Sequence, residues 1–130
     1  MDDNELGELI LGCALKVHKV LGPGLLESAY ETCLAHELAK AGVSVDRQLT
    51  LPVVYDGISI DAGYRIDLLV DRRVVIEVKA VETLADVHRA QLLSYLKLGG
   101  YALGYLINFN VALLKQGIVR LRNGYPREAQ

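Results

Sequence analysis

Tyr64-Arg65-Ile66-Asp67-Leu68-Leu69-Val70-Asp71-Arg72-Arg73-Val74-Val75-Ile76-Glu77-Val78-Lys79 is the stretch on which the fold turns. Two mainly apolar runs flank a charged break, and side chains in such runs alternate between faces, the pattern of strands. Asp71-Arg72-Arg73 reads as a three-residue turn joining antiparallel neighbours. An odd turn sets Asp67 opposite Glu77 on a common face, whereas a two-residue turn would put them on opposite faces. Their Cβ atoms would then lie about 5 Å apart, where like charges repel. A divalent cation removes that repulsion, because hard ions such as Mg2+ take carboxylate and carbonyl oxygens. Lys79 lies two residues beyond Glu77 and shares its face.

Upstream, Leu6, Ile10, Cys13, Val17, Val20 and Leu21 recur at helical spacing. They predict a helix over about residues 4–20, capped by Asp3 or Asn4 and stopped by Gly22-Pro23-Gly24. A second helix is predicted from Leu25 to Ala41, ended by Gly42. Its stripe is Glu27, Tyr30, Leu34, Leu38 and Ala41, so a carboxylate heads a mostly apolar face. Leu49, Leu51, Val53 and Tyr55 alternate as a strand, which Pro52 assigns to an edge, and Asp56-Gly57 signals a hairpin. The next alternation runs unbroken from Ile58 to Val70.

Downstream, a third helix spans Leu84 to about Leu98, with Leu84, His88, Gln91, Tyr95 and Leu98 on one stripe thickened by Leu92, Leu93 and Leu96. Tyr101–Phe109 is nearly all apolar and reads as a strand buried on both faces. Ile118–Arg122 is a final strand. The order α-α-β-β-β-α-β-β gives a mixed sheet flanked by helices, antiparallel at first, with one right-handed βαβ crossover.

Asp67, Glu77 and Lys79 on one sheet face fit phosphodiester cleavage. An ammonium beside a metal holds a water or hydroxide and stabilises charge on a phosphate in flight. A strand E-x-K alone is more commonly an exposed charge pair. Here the strand is flanked by helices, Glu27 adds a carboxylate on a core-facing stripe, and Gln91 and Tyr95 present two polar groups at i and i+4. His18 either approaches Glu27 or is a satisfied boundary histidine. Arg65 either binds phosphate or pairs with Glu27 or Asp67. Tyr30 fits core packing as well as a motif.

Gly24-Leu25-Leu26-Glu27-Ser28-Ala29-Tyr30, Tyr64–Val70, Ile76–Ala80, Gln91–Leu96 and Leu106–Phe109 together resemble the GxxExxY family, a branch of the PD-(D/E)xK nuclease-like superfamily. The E-x-K and Q-x-x-x-Y also resemble RecB-type nucleases. The resemblance runs from about Val17 to Arg122, with Ile66 where the superfamily's name places proline. It implies a restriction-endonuclease-like αβββαβ core, α/β with α+β character, plus an extra N-terminal helix and a C-terminal edge strand. It implies Mg2+ or Mn2+ held by Asp67, Glu77 and the Val78 carbonyl, with Glu27 at the metal or its water. Lys79 would orient the attacking water. Gln91 and Tyr95 would steady the site or the nucleic-acid backbone.

With 130 residues the chain is expected to form a single domain, residues 1–130. Hydrophobic residues make up 52%, which excludes intrinsic disorder. A net charge of −2 excludes a histone-like coat but not a nucleic-acid enzyme, whose catalytic acids subtract from the total. Cys13 and Cys33 have no metal-ligand spacing and read as small core or boundary residues in a reducing compartment. The acidic start predicts no secretory signal. The longest uncharged run, Leu98–Leu114, is shorter than the roughly 20 apolar residues of a membrane helix. The expectation is a cytoplasmic, metal-dependent nuclease of DNA or RNA, acting alone, as a homodimer or with an accessory partner. The alternatives are a non-catalytic module of the same fold that binds nucleic acid or protein, and a small homo-oligomeric accessory protein. Substrate choice is assigned to the 56–63 hairpin, the 80–86 and 110–117 connections, a dimer partner or another protein.

Overall fold

The computed structural model describes residues 1–124. Helices α1 (Asp3–Leu21) and α2 (Glu27–Lys40) precede β1 (Val45–Thr50), β2 (Val53–Tyr55), β3 (Ile58–Ile60), β4 (Arg65–Val70) and β5 (Val74–Lys79). Then come α3 (Asp86–Gly99), β6 (Leu103–Asn108), a 3-10 turn at Leu114–Gly117 and β7 (Ile118–Arg122). The main sheet has the order β1-β4-β5-β6-β7, and β2 pairs only with β3. β5 and β6 run parallel and the other main-sheet neighbours antiparallel, so α3 is the crossover between parallel strands. Three helices on a mixed five-stranded sheet make an α+β fold of the restriction-endonuclease-like type expected from the sequence.

The sheet has a core on each face. Leu68, Val70, Val74, Ile76, Val78, Leu103, Tyr105 and Ile107 pack with the buried stripes of α1 and α2. Leu69, Val75 and Leu106 pack with Leu92, Tyr95 and Leu96 of α3. β6 is buried along its whole length, as its unbroken apolar run predicts. Gly7 permits close approach of α1, because a Cβ there would collide with the Tyr105 hydroxyl. Cys13 and Cys33 are both free and half-buried.

Several boundaries differ from the sequence reading for identifiable reasons. Asp2 caps α1, with a reciprocal Asp2–Glu5 capping box, so the helix starts a residue early. The buried α1 stripe is Leu6, Ile10, Ala14 and Val17, whereas Val20 is 78% exposed. The strand expected over 48–55 breaks at Leu51-Pro52, where the proline lacks a donor for a ladder bond. The run expected as one strand from 58 to 70 breaks at 61–64, where Asp61 accepts from the Gly63 N–H and Gly63 adopts φ +80. The β2–β3 hairpin therefore stands off the main sheet. α3 begins at Asp86 rather than Leu84, because the His88 Nδ1 accepts from the Ala85 N–H and fixes the helix entry. No helix among the described residues is long and apolar enough to cross a membrane.

Candidate functional site

The site is built where β4 and β5 separate. Their register is Val70↔Val74, Leu69↔Val75 and Leu68↔Ile76, closed by the expected three-residue turn. The register aligns Asp67 with Glu77, but there side chains replace the ladder. The Asp67 N–H donates to Glu77 Oε2 at 2.9 Å, and the Val78 N–H donates to Asp67 Oδ2 at 2.8 Å. The N–H and C=O of one strand residue point to the same side, so the Val78 carbonyl also faces the opening.

The other flank of β4 is irregular at the same residue. Arg47 pairs with Leu68 and Leu49 with Ile66, but the intervening Gln48 does not pair with Asp67. Gln48 has φ 51, the left-handed region. The strand changes face across this point. Leu68 packs on the α1–α2 side while Ile66, two residues earlier, packs on the α3 side. Ile66 is fully buried there, which accounts for a large apolar residue immediately before Asp67.

Glu77 is 4% exposed. Burial, and then the charge of Asp67, raise its pKa from the ordinary 4.5 to about 8. Burial also pushes Asp67 up, partly opposed by the hydrogen bond from Val78. Lys79 is half-buried and favours the ionised form of both carboxylates, yet forms no ion pair among the described residues. Tyr95 of α3 reaches the same region. Its pKa is raised by burial and then by the charge of Glu77, with smaller effects of Tyr64 and Asp67. The Tyr64 and Tyr95 rings lie 6.0 Å apart.

Helix α2 delivers two further carboxylates. Glu27 is exposed and not on a core-facing stripe as the spacing predicts, because it is the first residue of α2 and precedes the packed turn. Its Oε2 accepts from the Ala80 N–H at 3.1 Å, immediately beyond β5. The approach to α2 is fixed by Tyr30, whose hydroxyl donates to the Gly22 carbonyl at 2.6 Å and accepts from the Leu25 N–H at 3.1 Å. The Tyr30 ring stacks on Phe109 at 4.6 Å, and the Gly24 N–H donates to Asn110 Oδ1. Gly24 has φ +101, which only glycine adopts readily. Glycine, glutamate and tyrosine of that motif thus form one unit in which the tyrosine holds the loop that presents the glutamate.

Glu31, one turn after Glu27, is 8% exposed and was not legible as a site residue. It accepts from Arg47 Nη2 at 3.0 Å and from Gln48 Nε2 at 2.7 Å. The i+4 spacing from Glu27 was the available signal, obscured because β1 supplies its partners from far along the chain. In the sequence Asn108 falls within the apolar run Tyr101–Phe109 and the motif segment Leu106–Phe109, with no role of its own assigned. It is buried, and its side chain accepts from the Val81 and Asn110 N–H groups and donates to the Val81 carbonyl. It anchors the chain leaving Lys79.

The remaining expected residues are dispersed. His18 Nε2 bonds the Val111 carbonyl at 2.8 Å, so it is a satisfied boundary histidine, not one engaged with Glu27. Arg65 is exposed and pairs with neither Glu27 nor Asp67 among the described residues, since it lies at the open start of β4. Gln91 is half-buried one turn before Tyr95, with no side-chain hydrogen bond among the described residues. His88, never expected at the site, sits at the boundary of α3, where its Nδ1 accepts from the Ala85 N–H.

Among the described residues no three His, Cys, Asp or Glu side chains form a ready-made metal cluster. The chemistry of the donor set still fits a hard divalent ion. Asp67 and Glu77 are mutually repelling oxygen donors largely removed from water, joined by a main-chain carbonyl on the same side. The model of the PD-(D/E)XK nuclease superfamily matches residues 4–121. The chain belongs to that superfamily. No curated protein and no solved structure matches it closely enough to extend the comparison.

Proposed function

We propose that this superfamily member is a divalent-metal-dependent nuclease hydrolysing phosphodiester bonds in DNA or RNA. The observation that carries the reading is the opened ladder, in which Asp67 and Glu77 meet between β4 and β5 with Lys79 at the end of the same strand. Asp67, Glu77 and the Val78 carbonyl would hold Mg2+ or Mn2+, with Glu27 near its water shell. The bound ion supplies a Lewis acid and a water of lowered pKa. Lys79, as an ammonium, would orient the attacking water by donating a hydrogen bond to its oxygen and would stabilise negative charge on the phosphate. Tyr95 and Gln91 steady the carboxylates or the nucleic-acid backbone from α3. We also read Gly24, Glu27 and Tyr30 as the mark of the GxxExxY branch, supported by their action as one unit.

The chain is read as one nuclease unit over residues 1–130. A homodimer would present two such sites, one for each strand of a duplex, and an accessory protein would add specificity. Purified protein is tested on mixed single- and double-stranded DNA and RNA with Mg2+ or Mn2+. Metal-dependent cleavage lost in Glu77→Ala and Lys79→Ala supports the reading. Metal binding without turnover on any substrate replaces it with a non-catalytic module of the same fold.

A further inference from the structure

Gln48 occupies a backbone conformation that disfavours glutamine. Its φ of 51 lies in the left-handed region, where a Cβ is strained and glycine or asparagine is favoured. It stands opposite Asp67, between the paired residues Arg47↔Leu68 and Leu49↔Ile66. Backbone outliers persist when the surroundings over-determine them, and here the side chain supplies the reason.

Gln48 Nε2 donates to Glu31 Oε1 at 2.7 Å and to Asp67 Oδ1 at 3.2 Å. An amide NH2 has two hydrogens, so each carboxylate receives one. The reversed amide would turn its oxygen toward both carboxylates, so charge fixes the orientation. Glu31 is itself held on its other oxygen by Arg47 at 3.0 Å, and Arg47 reaches Thr32 Oγ1 at 3.0 Å. The Glu31–Arg47 pair therefore holds the amide, and the amide holds Asp67. On its far side Asp67 Oδ2 takes the Val78 N–H at 2.8 Å. One donor on each oxygen sets the plane of the carboxylate.

We infer that Gln48 is a positioning residue, backed by Glu31 and Arg47, that fixes the Asp67 carboxylate for a divalent cation. The inference rests on the proposed role of Asp67 as an ion ligand. Groups that orient a ligand in this way commonly change metal affinity about 10- to 100-fold when removed.

Gln48→Gly separates this role from a purely structural one, because glycine suits the backbone conformation while the side chain and its two hydrogen bonds are deleted. Relief of the left-handed backbone offsets the lost hydrogen bonds, so the variant should remain folded with a melting temperature close to that of the wild type. Its Val78 amide should exchange hydrogen at least about tenfold faster, measured against the Ala80 amide, which Glu27 holds independently. Titration should show Mn2+ affinity reduced by about tenfold. An unchanged Val78 exchange rate overturns the inference, as does unchanged Mn2+ affinity where the wild type binds the ion. If the wild type binds no divalent ion, the ligand role of Asp67 fails, and the inference, which depends on it, is overturned with it. A change in Val78 exchange would then mark the Gln48–Asp67 contact as structural.

Discussion

Two carboxylates brought together out of water favour protonation of one of them or a cation between them. Glu77 carries most of this tension, with its pKa near 8. The folded protein keeps a proton there that the unfolded chain releases near 4.5. Folding thus takes up a proton between those values, and without divalent ions stability falls as pH rises from about 4.5 to about 8. Thermal melts across that range should show the decline in wild type and a shallower one in Glu77→Gln. An equal slope in both would remove Glu77 as the cause. Lys79→Ala should lower cleavage by at least about 100-fold, the scale of one lost transition-state charge contact, with circular dichroism unchanged. Wild-type cleavage by that variant would take Lys79 out of the chemistry. Tyr30→Phe loses a hydroxyl that bonds both Gly22 and Leu25, and should cost about 1–3 kcal/mol in denaturant unfolding.

At the scale of elements, the site depends on how strands end. β5 carries Glu77 and Lys79 to its end, and Asn108 of β6 then ties down the main chain of Val81. Asn108→Ala leaves the Val81 N–H and carbonyl and the Asn110 N–H without that partner, and should destabilise by about 1–3 kcal/mol. Faster hydrogen exchange at Val81 would locate the effect; an unchanged rate would show that water or a neighbour takes over. The β4–β5 register was legible because an odd turn and the alternation from Leu68 to Ile76 align Asp67 with Glu77, whereas the change of face between Ile66 and Leu68 was not, because it arises where Gln48 leaves the ladder. The crossover through α3 was legible from an apolar stripe lying between two buried strands. The separate β2–β3 hairpin was not, because Ile58 and Ile60 continue the alternation of β4 and the break rests on the local turn at Asp61–Gly63. Gln48 and Glu31 escaped notice for a related reason. Their roles arise where pairing fails, and periodicity reads only pairing that continues.

Across the whole molecule, each face of the sheet has its own apolar core, leaving the carboxylates at the seam where β4 leaves β5. α2 approaches that seam with Glu27 and Glu31, and α3 with Tyr95. Helices from both layers thus meet at one end of the sheet, as the resemblance implies for Glu27 and Tyr95, while the part of Glu31 emerges only from the fold. A cation bound there should stabilise the fold by mass action, about 2.7 kcal/mol at 100 times its dissociation constant. It also displaces the proton on Glu77, so its affinity should rise with pH up to about 8. The most direct test of the central claim is calorimetric titration of Mg2+ and Mn2+ into wild type and Glu77→Ala at pH 8. The account predicts saturable binding to the wild type that is lost in the variant. Equal binding by both proteins, or none by the wild type even with nucleic acid present, would contradict it.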